Sequence, residues 1–371
     1  MSKIKLGVTL YSFSTEYCKG IMTLEDCIRT AKELGAEGFE IVATQMIPSY
    51  PFISDKFLGE FQAICRAYDM EAICYGANMD CGLRGDRRLN DDEMLDMAIR
   101  DLKNAHKMGC KVIREQFLIG PENLVRLAPY AEEYDIKVGI EIHNPDSPIT
   151  PAIQEFRQAI SESGSKYIGF VPDFGCFATK PNKPNWDQAL AKGADVKLLE
   201  MARDMKYEEV PYEKAIEQLK AAGGKEAELY CMQDMYNFMK FQKDISKELQ
   251  GLREILPYCF HMHGKYHYVY ENLEESAIPY GDILDVVKNS DYDGYIVSEY
   301  EEYNSDHSIE MLRRHLKMMK NFHIINKWFH SEQKYVSKII CQMHNRPDRR
   351  NGPGDLLICQ KFCHRSADMV Q

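Results

Sequence analysis

Residues 137–173 read KVGIEIHNPDSPITPAIQEFRQAISESGSKYIGFVPD. The stretch opens on a β-rich run, Lys137–His143, and closes on a second, Ile168–Asp173. Neither run alternates strictly between apolar and polar residues, as expected of parallel strands covered on both faces. Between them, Thr150-Pro151 puts a capping hydroxyl before a proline at the first helical position. This strand–helix–strand unit recurs along the chain. Further strand candidates are Ile4–Ser12, Gly38–Val42, Glu71–Tyr75, Lys111–Arg114, Cys259–His263 and Tyr295–Glu299, which makes eight. Thr23 followed by Glu25 and Asp26, and Asn90 followed by Asp91, Asp92 and Glu93, mark other helix starts. Eight alternations predict an α/β fold, a closed (β/α)₈ TIM barrel. A doubly wound open sheet usually carries a glycine-rich phosphate turn after its first strand, and none follows Leu10-Tyr11-Ser12.

The 371 residues suffice for one large barrel, and 44% hydrophobic content supplies its core. No apolar run approaches the ~18–20 residues that span a bilayer. The N-terminus enters strand-like sequence without an apolar signal segment, so a cytoplasmic protein is expected. The 12 cysteines fit that reading as reduced, mostly buried small hydrophobes. Residues 323–371 carry eight Lys/Arg against four Asp/Glu, leaving 38 against 53 in residues 1–322. A body this acidic repels polyanions, so nucleic acid is not an expected partner.

Two segments break the repeat. Glu141 to Asp173 spans 32 positions, whereas Asp173 to His263 spans 90. The excess, 187–257, is charged and helical in pattern and is read as an insertion after strand six. A loop there lies on a barrel's catalytic face, so it serves as a lid, a subunit contact or a simple elaboration. Its stretch Leu229–Met239 is rich in aromatics and methionine, as interface cores and ordinary packed helices both are. The barrel is expected to occupy 1–322. Residues 323–371 are then a poorly ordered extension, because Asn345–Asp355 is rich in Arg, Asn, Pro and Gly. Cys341, His344, Cys359, Cys363 and His364 fit no standard zinc spacing.

Side chains at the C-terminal ends of barrel strands converge on one site. Strand five ends with Glu141 and His143 on one face, strand six with Asp173, strand seven with His261 and His263 followed by Lys265, and strand eight with Glu299. Each has an ordinary reading: Asp173 as a helix cap, His261 as a core histidine, Glu299 as a solvated carboxylate, Lys265 as a surface lysine. Their joint occurrence at four consecutive strand ends points instead to one shared divalent cation, because carboxylates on apolar strands are costly unless paired. Three oxygens and one imidazole suit Mn²⁺, with Mg²⁺ or Co²⁺ as alternatives. Tyr11, Glu40, Asn78, Arg114, Gln116 and His261, near other strand ends, are candidate substrate contacts.

These strand ends resemble the xylose-isomerase-like barrel superfamily over about 1–322. The resemblance assigns the metal to Glu141, Asp173, His263 and Glu299, with His263 taken as the second histidine of the His-x-His strand. Glu-Ile-His on strand five, His-Met-His-Gly-Lys on strand seven and the long insertion are similar to the α subunit of C-glycoside deglycosidases. That implies a sugar or glycoside substrate, a smaller β subunit, and cleavage of a 3-oxo-glycoside by loss of the C2 proton and β-elimination at C1. His143 then serves as the base or as a group orienting Glu141, and Lys265 steadies an oxyanion. A sugar isomerase or epimerase would share the first proton transfer and remains the alternative. A DNA-repair endonuclease of the superfamily needs three zinc ions and more histidines, whereas only His106 precedes His143 here. A purely scaffolding role conflicts with the intact ligand set.

Overall fold

The computed structural model describes residues 4–302 and 307–322. Eight strands are present: β1 (Lys5–Thr9), β2 (Phe39–Val42), β3 (Ala72–Gly76), β4 (Val112–Glu115), β5 (Lys137–Ile142), β6 (Ile168–Pro172), β7 (Met262–Tyr266) and β8 (Tyr295–Tyr300). They pair in parallel in the order β6-β5-β4-β3-β2-β1-β8-β7. Between β6 and β7 the ring closes through two parallel bridges, Phe170 with Cys259 and Asp173 with His263. Gly169 permits that approach, because a Cβ there would lie 2.1 Å from the Tyr258 carbonyl oxygen. Burial of every residue of β2, β3, β6 and β7 accounts for their unalternating apolar character.

Helices Leu24–Glu33, Asp55–Tyr68, Asp91–Met108, Pro121–Glu133 and Pro151–Ser163 follow β1 to β5 in turn. The expected caps form at two of them: Thr23 exchanges hydrogen bonds with Asp26, and Asn90 with Glu93. Thr150 behaves differently. Its hydroxyl donates to the Ser147 carbonyl at 2.9 Å and leaves the helix uncapped, so the Pro151 ring alone marks that start.

Two sequence readings are corrected. The seventh strand lies three positions later than the expected Cys259–His263, because Leu256–Tyr258 forms a 3₁₀ turn and only the single bridge of Cys259 with Phe170 precedes the continuous ladder that starts at Met262. His261 therefore precedes the strand, His263 sits inside it, and Lys265 stands near its end. The insertion also has other limits than 187–257. After β6 come helices Lys183–Ala191, Val196–Tyr207, Tyr212–Ala221 and Glu226–Asn237, then Ser246–Ile255. The last carries Glu254, which pairs with Arg157 of the preceding barrel helix, and Gly251, which packs on Pro148 and Ile149. It occupies the barrel's own sixth helical position, so the added material is the four helices before it.

Those four helices are fastened to the C-terminal rim. Asn144, just past β5, donates to the carbonyls of Lys240 at 2.6 Å and Gly175 at 3.1 Å and accepts from the Lys240 amide at 2.9 Å. The Gln242 amide donates to Ala178, and the Tyr207 hydroxyl to Thr179 at 2.7 Å. Tyr280–Lys288 lies between β7 and β8, and a helix over 308–322 follows β8. No helix among the described residues is long and apolar enough to cross a membrane. The expectations for residues 323–371 lie outside the described residues.

Candidate metal centre and active site

The C-terminal ends of β5 to β8 bring together the four residues expected to hold a metal. Glu141, Asp173, His263 and Glu299 each offer one ligand atom, all within 4.8 Å of one another. His263 Nδ1 and Glu299 Oε2 are buried and lack a hydrogen-bond partner among the described residues, and the buried Asp173 Oδ2 has the Lys265 ammonium 2.7 Å away on one side. A buried polar atom left unmatched costs about 1–3 kcal/mol. Two of them, within 4.8 Å of the Asp173 and Glu141 oxygens, fit a bound cation.

The orientation of His263 strengthens the fit. Its Nε2 lies 2.9 Å from Glu40 Oε2 and donates to that carboxylate. Its Nδ1 then turns a lone pair toward Glu141 Oε1 at 2.9 Å and Glu299 Oε2 at 3.2 Å. A lone pair facing two anionic oxygens needs a positive charge between them. A second proton is one remedy: burial opposes it, yet Glu299 and Glu40 with Glu141 hold the His263 pKa well above the ordinary imidazole range. A divalent cation meets the same demand with more charge, and the Glu40–His263 bond is the carboxylate–histidine support such ligands use. Burial pushes the Asp173 carboxyl up in pKa against the pull of Lys265. Burial acts likewise on Glu141, but Arg114 with His263 and His143 holds it well below the usual carboxylate range.

Glu40, Cys74 and His261 form another compact donor group. It needs no cation. Glu40 accepts from His261 at 3.1 Å and from His263, and Arg114 lies 3.8 Å away. Burial depresses the His261 pKa and keeps that ring neutral. Both Glu40 and His261, expected among substrate contacts, are fully buried beneath His263. Arg114 is also buried. It donates to the Ala77 carbonyl at 2.8 Å and to Asn78 Oδ1 at 3.1 Å, and lies 3.8 Å from Glu141. Asn78 also donates to Thr44, Tyr11 lies on a 3₁₀ turn after β1, and the half-buried Gln116 follows β4.

Lys265 is only 2% exposed, not a surface lysine. Its Nζ lies 2.7 Å from Asp173 Oδ2, 2.8 Å from Glu301 Oε2 and 2.7 Å from His143 Nε2. Burial opposes its charge, but Asp173, Glu301 and Glu299 raise its pKa well above the usual value. His143 donates from Nδ1 to the Asn144 carbonyl at 2.6 Å, so Nε2 carries the lone pair. That nitrogen lies 3.7 Å from Asp173 Oδ2, beside the metal set. Glu301, not singled out in the sequence, is half-buried, and Lys265 holds its pKa down to about 2 against the loss of water. Two-residue spacing from Glu299 was the available signal. A cavity of about 710 Å³ opens at the opposite rim, lined by Lys111, Lys137, Arg253 and Tyr292 among others. Barrel chemistry belongs to the C-terminal rim, where the carboxylates converge.

The pattern of xylose isomerase-like TIM barrels matches residues 28–322, and the chain belongs to that family. It is an enzyme of the deglycosidase-like branch. A 3'-dehydrocarminate deglycosidase alpha subunit from Microbacterium sp is 31% identical over 330 residues, covering 85% of this chain and 94% of that one. A C-glycoside deglycosidase alpha subunit from Arthrobacter globiformis is 30% identical over 307 residues, covering 81% and 85%. Among solved structures, a 3-keto-D-glucoside 4-epimerase from E. coli superposes with a TM-score of 0.51 at 14% identity, covering 86% of this chain and 99% of its own. The IOLI protein with a bound zinc atom gives 0.52 at 11% identity, covering 86% and 97%. These two likenesses concern the fold.

Proposed function

We propose that the chain is the catalytic subunit of a Mn²⁺-dependent C-glycoside deglycosidase, a carbon–carbon lyase acting on a 3-oxo-glycoside. The convergence of Glu141, Asp173, His263 and Glu299, with His263 Nδ1 and Glu299 Oε2 buried and unmatched, carries this reading. Held by those four side chains, the cation would supply Lewis-acid polarisation of the sugar's oxo oxygen and an adjacent hydroxyl. His143 Nε2, released from the Lys265 ammonium 2.7 Å away when that group turns to the substrate oxygen, accepts the C2 proton, which the neighbouring ketone has made acidic. The electron pair left at C2 forms the C1–C2 double bond, and the bond from C1 to the aglycone carbon breaks. Its electrons leave with the aglycone carbon, which takes up a proton. Lys265, fixed by Asp173 and Glu301, presents a permanent positive charge where oxygen gains negative charge.

A sugar isomerase or epimerase would use the same first proton transfer. Full chain supplied with Mn²⁺ is incubated with a 3-oxo aryl C-glucoside and, separately, with free ketohexoses. Release of aglycone from the first and no turnover of the second is expected. The reverse result replaces the lyase by the isomerase.

The two relatives are named as alpha subunits, and a smaller companion is proposed here also. Phe238 and Tyr230, 61% and 60% exposed on the added helices, offer apolar surface for it. Phe238→Ser should weaken companion binding roughly tenfold while leaving metal content unchanged. Equal affinity by titration calorimetry would remove this face from the interface.

A further inference from the structure

The added helices join the barrel at a neck. Their entry is the 3₁₀ turn Phe174–Phe177 after β6, and their exit is the irregular stretch around Lys240 that leads into Ser246–Ile255. One side chain spans both. Asn144 is 5% exposed, and its amide donors and its carbonyl are all engaged here. Nδ2 donates to Gly175 on the entry and to Lys240 on the exit, and Oδ1 accepts from the Lys240 amide. The two bonds with Lys240 copy the exchange between paired peptide groups, so they hold main chain whatever the Lys240 side chain does. The Gln242 amide, bonded to the Ala178 carbonyl, closes the same neck one step further out.

The two barrel-side ends of this clamp reach the candidate site. The Asn144 carbonyl takes the His143 Nδ1 proton at 2.6 Å, and the Gly175 amide donates to Asp173 Oδ1 at 2.7 Å. A Cβ on Gly175 would lie 3.1 Å from Lys265 Cδ, so the same turn abuts the lysine stem. The proposed base, one metal ligand and the buried ammonium therefore all rest against the residues that close the neck. His143 Nε2 faces Lys265 Nζ at 2.7 Å and Asp173 Oδ2 at 3.7 Å. Once the ammonium turns to a substrate oxygen, Asp173 draws the ring proton toward Nε2, the nitrogen that must be empty to act as a base. The Asn144 carbonyl opposes this by keeping the proton at Nδ1.

We propose that Asn144 is a positioning residue that joins the seat of the insertion to the orientation and tautomer of His143. Its side chain holds the neck shut, and its own backbone carbonyl fixes the ring. Displacement of the insertion's exit stretch thus reaches the base through one residue that touches neither substrate nor metal. The benefit to proton transfer rests on the lyase reading, whereas the link between neck and imidazole does not.

Full chain with ¹⁵N-labelled histidine is studied with Mg²⁺ as a diamagnetic probe. The His143 Nδ1 proton of the unaltered protein should give a sharp downfield resonance. Asn144→Asp keeps the side-chain shape, loses both donors and sets a carboxylate against two carbonyl oxygens. Exchange of the Nδ1 proton with water should rise about tenfold or more, together with exchange of the Lys240 and Gln242 amides. With Mn²⁺ and 3-oxo-glucose in deuterated water, C2 proton exchange should slow about 100-fold while KM stays within about threefold. Asn144→Gln carries a neutral amide on a longer stem and should fall between in each readout, which keeps the test decisive where the Asp variant does not fold. Tyr207→Phe removes a different tie of the insertion, the hydroxyl bond to Thr179, and should leave the His143 resonance and the C2 rate unchanged. A purely structural Asn144 would free the neck amides and leave the His143 resonance as it was. That outcome, or an equal change of the resonance in Tyr207→Phe, overturns the proposal. Absence of C2 exchange in the unaltered protein would count against the lyase reading, and the His143 and amide resonances would still decide the link.

Discussion

Asp101 and Glu115 lie on one flank of the barrel, and Glu141, Asp173 and Glu299 at its mouth. Both sets of carboxylates have been taken out of water. On the flank, Asp101 accepts from the hydroxyls of Tyr75 at 2.9 Å and Tyr50 at 3.2 Å, and Glu115 from the Gln116 amide at 2.9 Å. Burial pushes Asp101 up to about 6, and burial with the Asp101 charge pushes Glu115 up to about 8. That set solves its charge problem with hydroxyl donors and protons. At the mouth, Arg114 keeps Glu141 ionised, and His263 Nδ1 and Glu299 Oε2 stay unmatched. Burial of acids alone therefore does not mark a catalytic centre. Acids held ionised with acceptors left over do.

The most severe test of this contrast removes a mouth carboxylate. Asp173→Ala or Glu141→Ala should abolish bound metal, read by elemental analysis, and lower turnover by about a thousandfold or more. The same change at Asp101 should leave metal content intact. Full metal retention in either mouth variant would erase the distinction between the clusters.

Glu40→Gln probes the support behind the metal. Loss of the anionic partner of His263 Nε2 should weaken metal affinity about 10–100-fold, measured by competition with a chelator. Unchanged affinity would mean that Glu40 serves packing alone.

The smallest effect is expected on the flank and depends on pH. The unfolded chain releases the Glu115 proton near 4.5, the native chain only near 8. Between those values the native state binds more protons, so stability falls as pH rises and levels off above about 8. Glu115→Gln should flatten this decline and exceed the unaltered protein in stability at pH 8, by on the order of a few kcal/mol at most. Urea unfolding at pH 5 and pH 8 measures it, and parallel curves would refute the assignment.

The legible parts of the sequence were those in which one strand carried its own signal. β5 and β8 end apolar runs in a carboxylate, and Asp173 follows Ile168–Pro172 directly, so the four-residue set could be read from strand ends. β7 was harder. Gly264 and Lys265 break its apolar character, and the strand was placed three residues early. Lys265 carries no local mark of burial, since its counterions come from β6 and from beyond β8. Glu40 on β2 meets His263 on β7 across the barrel interior, a contact no local pattern encodes. The insertion was found by an excess of length, but its end was not, because helix Ser246–Ile255 looks like its neighbours until Arg157 and Pro148 are seen against it.

The thin seam between β6 and β7 has a mechanical consequence. Along the other strand boundaries, ladders of hydrogen bonds carry the hoop tension of the ring, whereas here two bridges do, and one of them joins Asp173 to His263. These are two of the four proposed ligands. An ion held by both would act as a clasp on the weakest stave joint, so the same coordination bonds that prepare the reaction would also keep the barrel from springing open beside its largest insertion.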